Sequence, residues 1–177
     1  MGVATPIHPF FSGILSMMSS YNFFMNENLI DELYLFAWRS FITSHATVIY
    51  IIDRELVEAG CIPLNWYDVL IELYEAPDHR LRMHELAQKV VLSRSGLTRL
   101  VDKLEKEELL YREIDPSDRR GFHAILTDKG HAALRQAWPV YAQGIVQHFA
   151  RHLNDQEAQL ITEIFNRILE IFSAVKG

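Results

Sequence analysis

At 177 residues, with 49% hydrophobic and 23% charged residues, the chain has the size and make-up of one globular domain with a substantial core. One cysteine, Cys61, excludes an intrachain disulfide framework and fits a cytoplasmic location, and no run approaches the roughly 20 continuous apolar residues of a membrane span, so no membrane partner is expected. The net charge of −6 is unevenly held: residues 79–135 carry twelve of the 17 Lys and Arg but only nine of the 23 Asp and Glu, which places any anion-binding surface there.

Residues 1–26 contain no Lys, Arg, Asp or Glu. They lack the basic start of a secretory signal. The segment is open to three readings: packing on the body or across a dimer, disorder, or an over-long start with Met25 as the true first residue. From about Asn28 to Ala59 the chain reads as one long helix with a broken apolar stripe, ended by Gly60 and Pro63. A second helix runs from an Asn65 cap to about Glu75, and Ala76-Pro77-Asp78 stops it.

Arg82 to Gly130 is the most specific stretch. A short helix and a tight turn precede a longer helix that begins at Ser93, whose hydroxyl can cap the first turn. Leu97, Leu100, Val101 and Leu104 fall at i, i+3, i+4 and i+7 and form one apolar face. Ser95, Arg99, Asp102 and Lys106 lie opposite, flanked by Thr98 and Lys103. Arg94, Ser95, Thr98 and Arg99 suit a major groove: Arg bonds guanine bidentately, and Ser or Thr bonds base edges or phosphate. Taken alone, the helix reads as an ordinary solvated amphipath.

The segment after it changes that. Residues 110–114 and 122–126 read as strands around Asp115-Pro116-Ser117-Asp118-Arg119-Arg120-Gly121, a hairpin with a basic tip. Arg119 and Arg120 suit a narrow minor groove, with Asp118 orienting Arg120. Residues 81–83 can lend the sheet a third strand. Thr127 caps a long helix to about Leu153, with a bend expected near Trp138 because Pro139 follows. Asn154 and Glu157 form a capping-box pattern, and the last helix carries Ile161, Ile164, Phe165, Ile168 and Phe172 at helical spacing.

The Asp118-x-Arg120 wing followed by Leu126-Thr127-x-x-Gly130, together with the run Leu97-Thr98-Arg99-Leu100-Val101-Asp102-x-Leu104-Glu105, resembles the MarR (multiple antibiotic resistance regulator) family of bacterial transcription factors. The resemblance is strongest over about residues 64–130 and extends from 28 to 174. It implies a mainly α fold with a small β-hairpin wing: a winged helix-turn-helix with six helices. Residues 28–63 and 127–177 would form the dimerisation helices, 64–126 the DNA-binding region, and 1–27 an extension. It also implies a cytoplasmic homodimer on a pseudo-palindromic double-stranded operator, acting as a repressor that a small aromatic or lipophilic effector releases. The family usually has Gly where this chain has Glu108. Either Glu108 is strained there, at about 1 kcal/mol or more, or the helix ends differently.

Other chemistry is sparse. There is no Gly-x-Ser-x-Gly elbow and no phosphate-cradling glycine loop, so no enzyme, catalytic residue or cofactor is expected. His148 and His152 stand at i, i+4, but without partner ligands they read as a surface or interface pair, not a metal site. Cys61 reads as a small buried residue. Arg39, His45, Trp66, Tyr67 and Tyr111 can line an effector pocket between the first two helices and the wing base, although any one of them taken singly reads first as an ordinary core or snorkelling residue. The rival to the DNA reading is a helical dimer whose winged domain serves as a protein-interaction or ligand-carrying module. Glu108 and the negative total charge favour that rival.

Overall fold

The computed structural model describes residues 30–90, 94–115 and 118–175, the side chains of 94–95, 118–120 and 172–175 aside. Its helices are α1 (Glu32–Glu58), α2 (Leu64–Glu75), α3 (Met83–Lys89), α4 (Arg94–Lys106), α5 (Asp128–His148) and α6 (Asp155–Val175). Its strands are β1 (Arg80–Arg82), β2 (Leu110–Asp115) and β3 (Asp118–Leu126), and single 3-10 turns occupy Pro77–His79 and Ala150–His152. The chain divides into two compact units, Met1–His45 and Ala46–Gly177, with the boundary inside α1.

In the first unit, Asp31 starts α1 by accepting the Leu33 N–H at 2.8 Å. Leu33, Tyr34 and Trp38 are exposed, and Trp38 meets Phe41 with ring centroids 6.0 Å apart. By length and composition α1 is apolar enough to cross a bilayer, although no uninterrupted apolar run marks it in the sequence. Of its residues only Ile52 and Leu56 are buried.

The second unit holds the core. Leu64, Val69, Leu70 and Leu73 of α2, Leu86 of α3 and the apolar face of α4 close over Leu110 and Ala124 of the sheet and Leu109 just before it. The sheet is antiparallel in the order β1-β3-β2. Leu81 and Arg112 both face Ala124, and the β2–β3 register shifts between Ile114 and Asp115. The third strand expected near residues 81–83 is therefore present, one residue earlier.

Several boundaries differ from the sequence expectation: α1 starts at Glu32 and not near Asn28, and β3 starts at Asp118 and not at residue 122. Asn65 does not cap α2. Its N-cap is Pro63, and the first free N–H, that of Leu64, is satisfied by Asp53 Oδ1 of α1 at 2.8 Å. The long helix ends at His148 and not near Leu153, because Phe149 leaves helical geometry (φ −132°, ψ −64°) and one 3-10 turn carries the chain to α6. That start is fixed by the expected box: Asn154 Oδ1 accepts from Glu157 N at 3.0 Å while Glu157 Oε2 accepts from Asn154 N at 2.8 Å. Pro139 sits inside α5 without ending it.

Candidate nucleic-acid interface

α4 separates its faces as its spacing predicts. Leu97, Leu100, Val101 and Leu104 are buried, whereas Thr98, Arg99, Asp102, Lys103 and Lys106 are exposed. Burying four large aliphatic groups, at about 1.5–3 kcal/mol each, sets the rotation of the helix. The outward direction of Arg99 and Lys103 follows from that rotation. Ser93 lies outside the described residues, as do the side chains of Arg94, Ser95, Asp118, Arg119 and Arg120.

α4 is tied to the wing by one residue the sequence reading did not single out. Arg112 of β2 donates its backbone N–H to Glu105 Oε1 and its Nε–H to Glu105 Oε2, both at 2.9 Å. Its Nη1 meets Asp102 Oδ1 at 2.8 Å. The hydrogen bond from Arg112 holds the Glu105 carboxyl below its ordinary range, against the opposing effect of partial burial. Asp102, read as part of the solvated face, is thus turned to the wing. The signal available in sequence was an acidic i, i+3 pair followed by an Arg in the next strand.

The wing base has a second anchor. Asp115 is 3% exposed, and its carboxylate meets the Arg82 guanidinium at 2.6 Å, a meeting of charges more than an aligned hydrogen bond. Arg82 also begins α3, its backbone N–H donating to Glu85 Oε2 at 2.9 Å. One residue therefore links β1, the start of α3 and the foot of the hairpin, the first two through its backbone and the last through its side chain.

The hinge after α4 explains the Leu126-Thr127-x-x-Gly130 run. Glu108 adopts φ +60°, the left-handed region. Its N–H donates to Glu105 O and that of Leu109 to Leu104 O, each at 2.9 Å, which is the Schellman closure normally given to glycine. α1 ends the same way, with Gly60 at φ +70°. The Thr127 hydroxyl donates to Glu108 O at 2.7 Å and accepts from Gly130 N at 3.0 Å. The start of α5 is thereby pinned to the end of α4. A Cβ on Gly130 would lie 2.1 Å from Leu109 O, so only glycine fits.

Of the five effector-pocket candidates, Tyr67 lines a cavity of about 810 Å³ between α2 and α5. Trp66 is half-buried against the core, and Tyr111 is exposed on β2. Arg39 and His45 belong to the first unit, where His45 lies 6.2 Å from the Phe41 ring. His148 pairs with Glu55 at 2.8 Å, and no group of three metal-ligating side chains occurs among the described residues. Cys61 is half-buried, its thiol 3.7 Å from Gln136 O.

Comparison with known proteins gives a consistent picture. Residues 62–122 match the model of the MarR family. The HTH-type transcriptional regulator MhqR of Bacillus subtilis is 34% identical over 116 residues, covering 66% of this chain and 77% of that protein. The transcriptional repressor MprA of Escherichia coli K12 is 34% identical over 86 residues, 49% of each chain. Among solved structures, Sco3205, a MarR family transcriptional regulator of Streptomyces coelicolor in complex with DNA, superposes with a TM-score of 0.75 at 33% identity. That match covers 81% of this chain and 91% of the other.

Proposed function

The chain belongs to the MarR family, and from that premise we propose that it is a sequence-specific double-stranded DNA-binding transcriptional regulator acting as a repressor. The observation that carries the reading is the pose of α4. Its apolar face is fully occupied by the core, its Thr98-Arg99 and Lys103 side points outward, and Arg112 fixes it to the wing. A helix so held can enter a major groove while the hairpin tip with Arg119 and Arg120 follows the neighbouring minor groove. In this reading Ser93, Arg94, Ser95, Thr98, Arg99 and Lys103 face the major groove, and Asp118 orients Arg120. The likeness to a DNA-bound relative supports the same assignment.

The working form is a homodimer. Residues 28–63 and 127–177 supply its interface, and 64–126 the DNA-binding region. Support comes from the apolar side chains left exposed on α1 and α6, among them Tyr50, Leu160, Ile168 and Leu169, more than a monomer ordinarily shows. A two-fold dimer reads a pseudo-palindrome with half-sites about one helical turn apart. The protein acts in the cytoplasm, as a regulator and not an enzyme. A small aromatic or lipophilic molecule releases the DNA by favouring one spacing of the two reading heads over the other.

A gel shift against genomic fragments from beside its own gene tests the reading. Retarded fragments that competitor DNA does not displace support it. Failure to retard any fragment above non-specific DNA would leave the interaction-module reading in its place. The total charge of −6 is the observation that favours that second reading. Glu108 no longer does, because it keeps the glycine-type closure and the reading helix intact.

A further inference from the structure

The cavity between α2 and α5 has a chemistry of its own. Tyr67, Tyr74, Trp138 and Tyr141 supply aromatic walls, and Asp68 and Glu75, two turns apart on α2, supply carboxylates. Tyr67 and Tyr141 meet at 4.8 Å with planes 55° apart, and Trp138 stands edge-on to Tyr141 at 6.3 Å. Such tilted rings turn both faces and edges to one space. A volume of about 810 Å³ is in the ordinary range for a small-molecule site. Neither Asp68 nor Glu75 forms an ion pair with any described residue.

We propose that this cavity receives a lipophilic organic cation: its aromatic faces take the apolar part and the charge, and Asp68 with Glu75 supplies the counter-charge. Aromatic faces attract cations and repel anions, and the carboxylates add to that preference. One cationic side chain, Arg135, also lines the cavity. Asp68 and Glu75 outnumber it in the lining. Desolvation, with Glu72 and Asp53 adding like charge, raises the Asp68 carboxyl above its ordinary range. Desolvation likewise raises the Tyr67 and Tyr141 hydroxyls, with Asp68 adding to both and Glu75 to Tyr67.

The binding claim stands on the cavity alone, whereas the cation's role as effector rests on the regulator reading. The probes are tetraphenylphosphonium and tetraphenylborate, which share a shape and differ in the sign of charge. Calorimetry on the full chain should show the phosphonium bound at least about tenfold more tightly. The double variant Asp68→Asn, Glu75→Gln keeps shape and removes like-charge repulsion. It should retain the fold by circular dichroism and lose most of that preference. Borate bound as well as phosphonium, or an undiminished preference in the folded variant, would overturn the proposal. Should the double variant not fold, Glu75→Gln alone, on an exposed side chain, must reduce the preference or the proposal falls. A gel shift with and without saturating phosphonium reads the second claim. Unliganded protein that retards no DNA sinks the regulator reading and leaves the cavity claim standing, and DNA held equally under both conditions overturns the effector role only.

Discussion

Glu108 is one of three non-glycine residues with left-handed φ among the described residues, the others being Asp78 and His79 beside the 3-10 turn. A left-handed backbone costs a residue with a Cβ about 1–2 kcal/mol, and glycine escapes that cost while losing more entropy on folding. The surrounding bonds over-determine the conformation: two Schellman hydrogen bonds within the hinge and the Thr127 hydroxyl on the Glu108 carbonyl. The Glu108 side chain adds only an exposed contact with Lys129 at 3.3 Å, which solvent screens to almost nothing. Glu108→Gly should therefore stabilise the protein by about 0.5–1 kcal/mol, measured by urea unfolding. A destabilised variant would mean that the Lys129 pair outweighs the strain. At Arg99, exposed on the outward side of α4, the expected effect is on recognition and not stability. Arg99→Ala should relax preference at one position per half-site, by about 1–3 kcal/mol of discrimination. A binding-site selection that returns an equally sharp consensus would show Arg99 to be a backbone contact or a bystander.

Elements behave here as coupled bodies, and the coupling was the least legible part of the sequence. The faces of α4, the Thr127 cap and the Asn154–Glu157 box could be read in advance because each is decided within one or two turns of chain. Arg112 on Asp102 and Glu105, Arg82 on Asp115, Asp53 on Leu64 N and Glu55 on His148 could not. Their partners come together only through the fold, the last pair across 93 residues. The end of α5 is not legible in the sequence because no Gly or Pro marks Phe149, where the backbone leaves helical geometry. The wing coupling has a pH signature. Because Glu105 titrates below its ordinary value of about 4.5 in the folded state, its pair with Arg112 stabilises fully above that value, and the contribution is lost as pH falls through the lower, folded pKa. Arg112→Met should cost about 1 kcal/mol or less at pH 7, since both side chains remain about a third exposed. The difference from the parent protein should shrink as pH drops below about 4.5. DNA affinity should fall by more than the stability does, because helix and hairpin then no longer keep one spacing. Unfolding curves and gel shifts on the same variant separate the two, and equal small losses in both would reduce Arg112 to a surface contact.

At the scale of the whole molecule the questions are what covers the apolar helices and how an acidic protein holds DNA. Leu169 is 62% exposed and Ile171 64% on α6, and Trp38 is 57% exposed on α1. Removal of α6 by truncation after Asn154 should give aggregated or unfolded protein, whereas a soluble folded monomer by light scattering and circular dichroism would defeat the dimer. The full chain found only in detergent would point instead to α1 entering a bilayer, which its length allows. Charge gives the remaining prediction. Residues 79–135 hold a surplus of three positive charges, and the rest of the chain a surplus of nine negative ones. The contacts at α4 and the wing would lie within hydrogen-bonding reach of phosphate, whereas much of the acid is carried by helices outside that surface. At roughly 0.15 M salt the screening length is about 8 Å, so distant repulsion is cut more than close attraction. Release of condensed counterions, with a slope near −0.9 per phosphate neutralised, acts in the opposite direction and grows with every added contact. The contact effect is the larger, because several Lys and Arg act at once at short range while the acid acts diffusely through solvent. Affinity should therefore fall steeply and monotonically with salt from about 0.05 to 0.2 M in a titration. A flat or rising curve would mean that the winged region neutralises few phosphates and that long-range repulsion governs the encounter, an outcome incompatible with α4 seated in a groove.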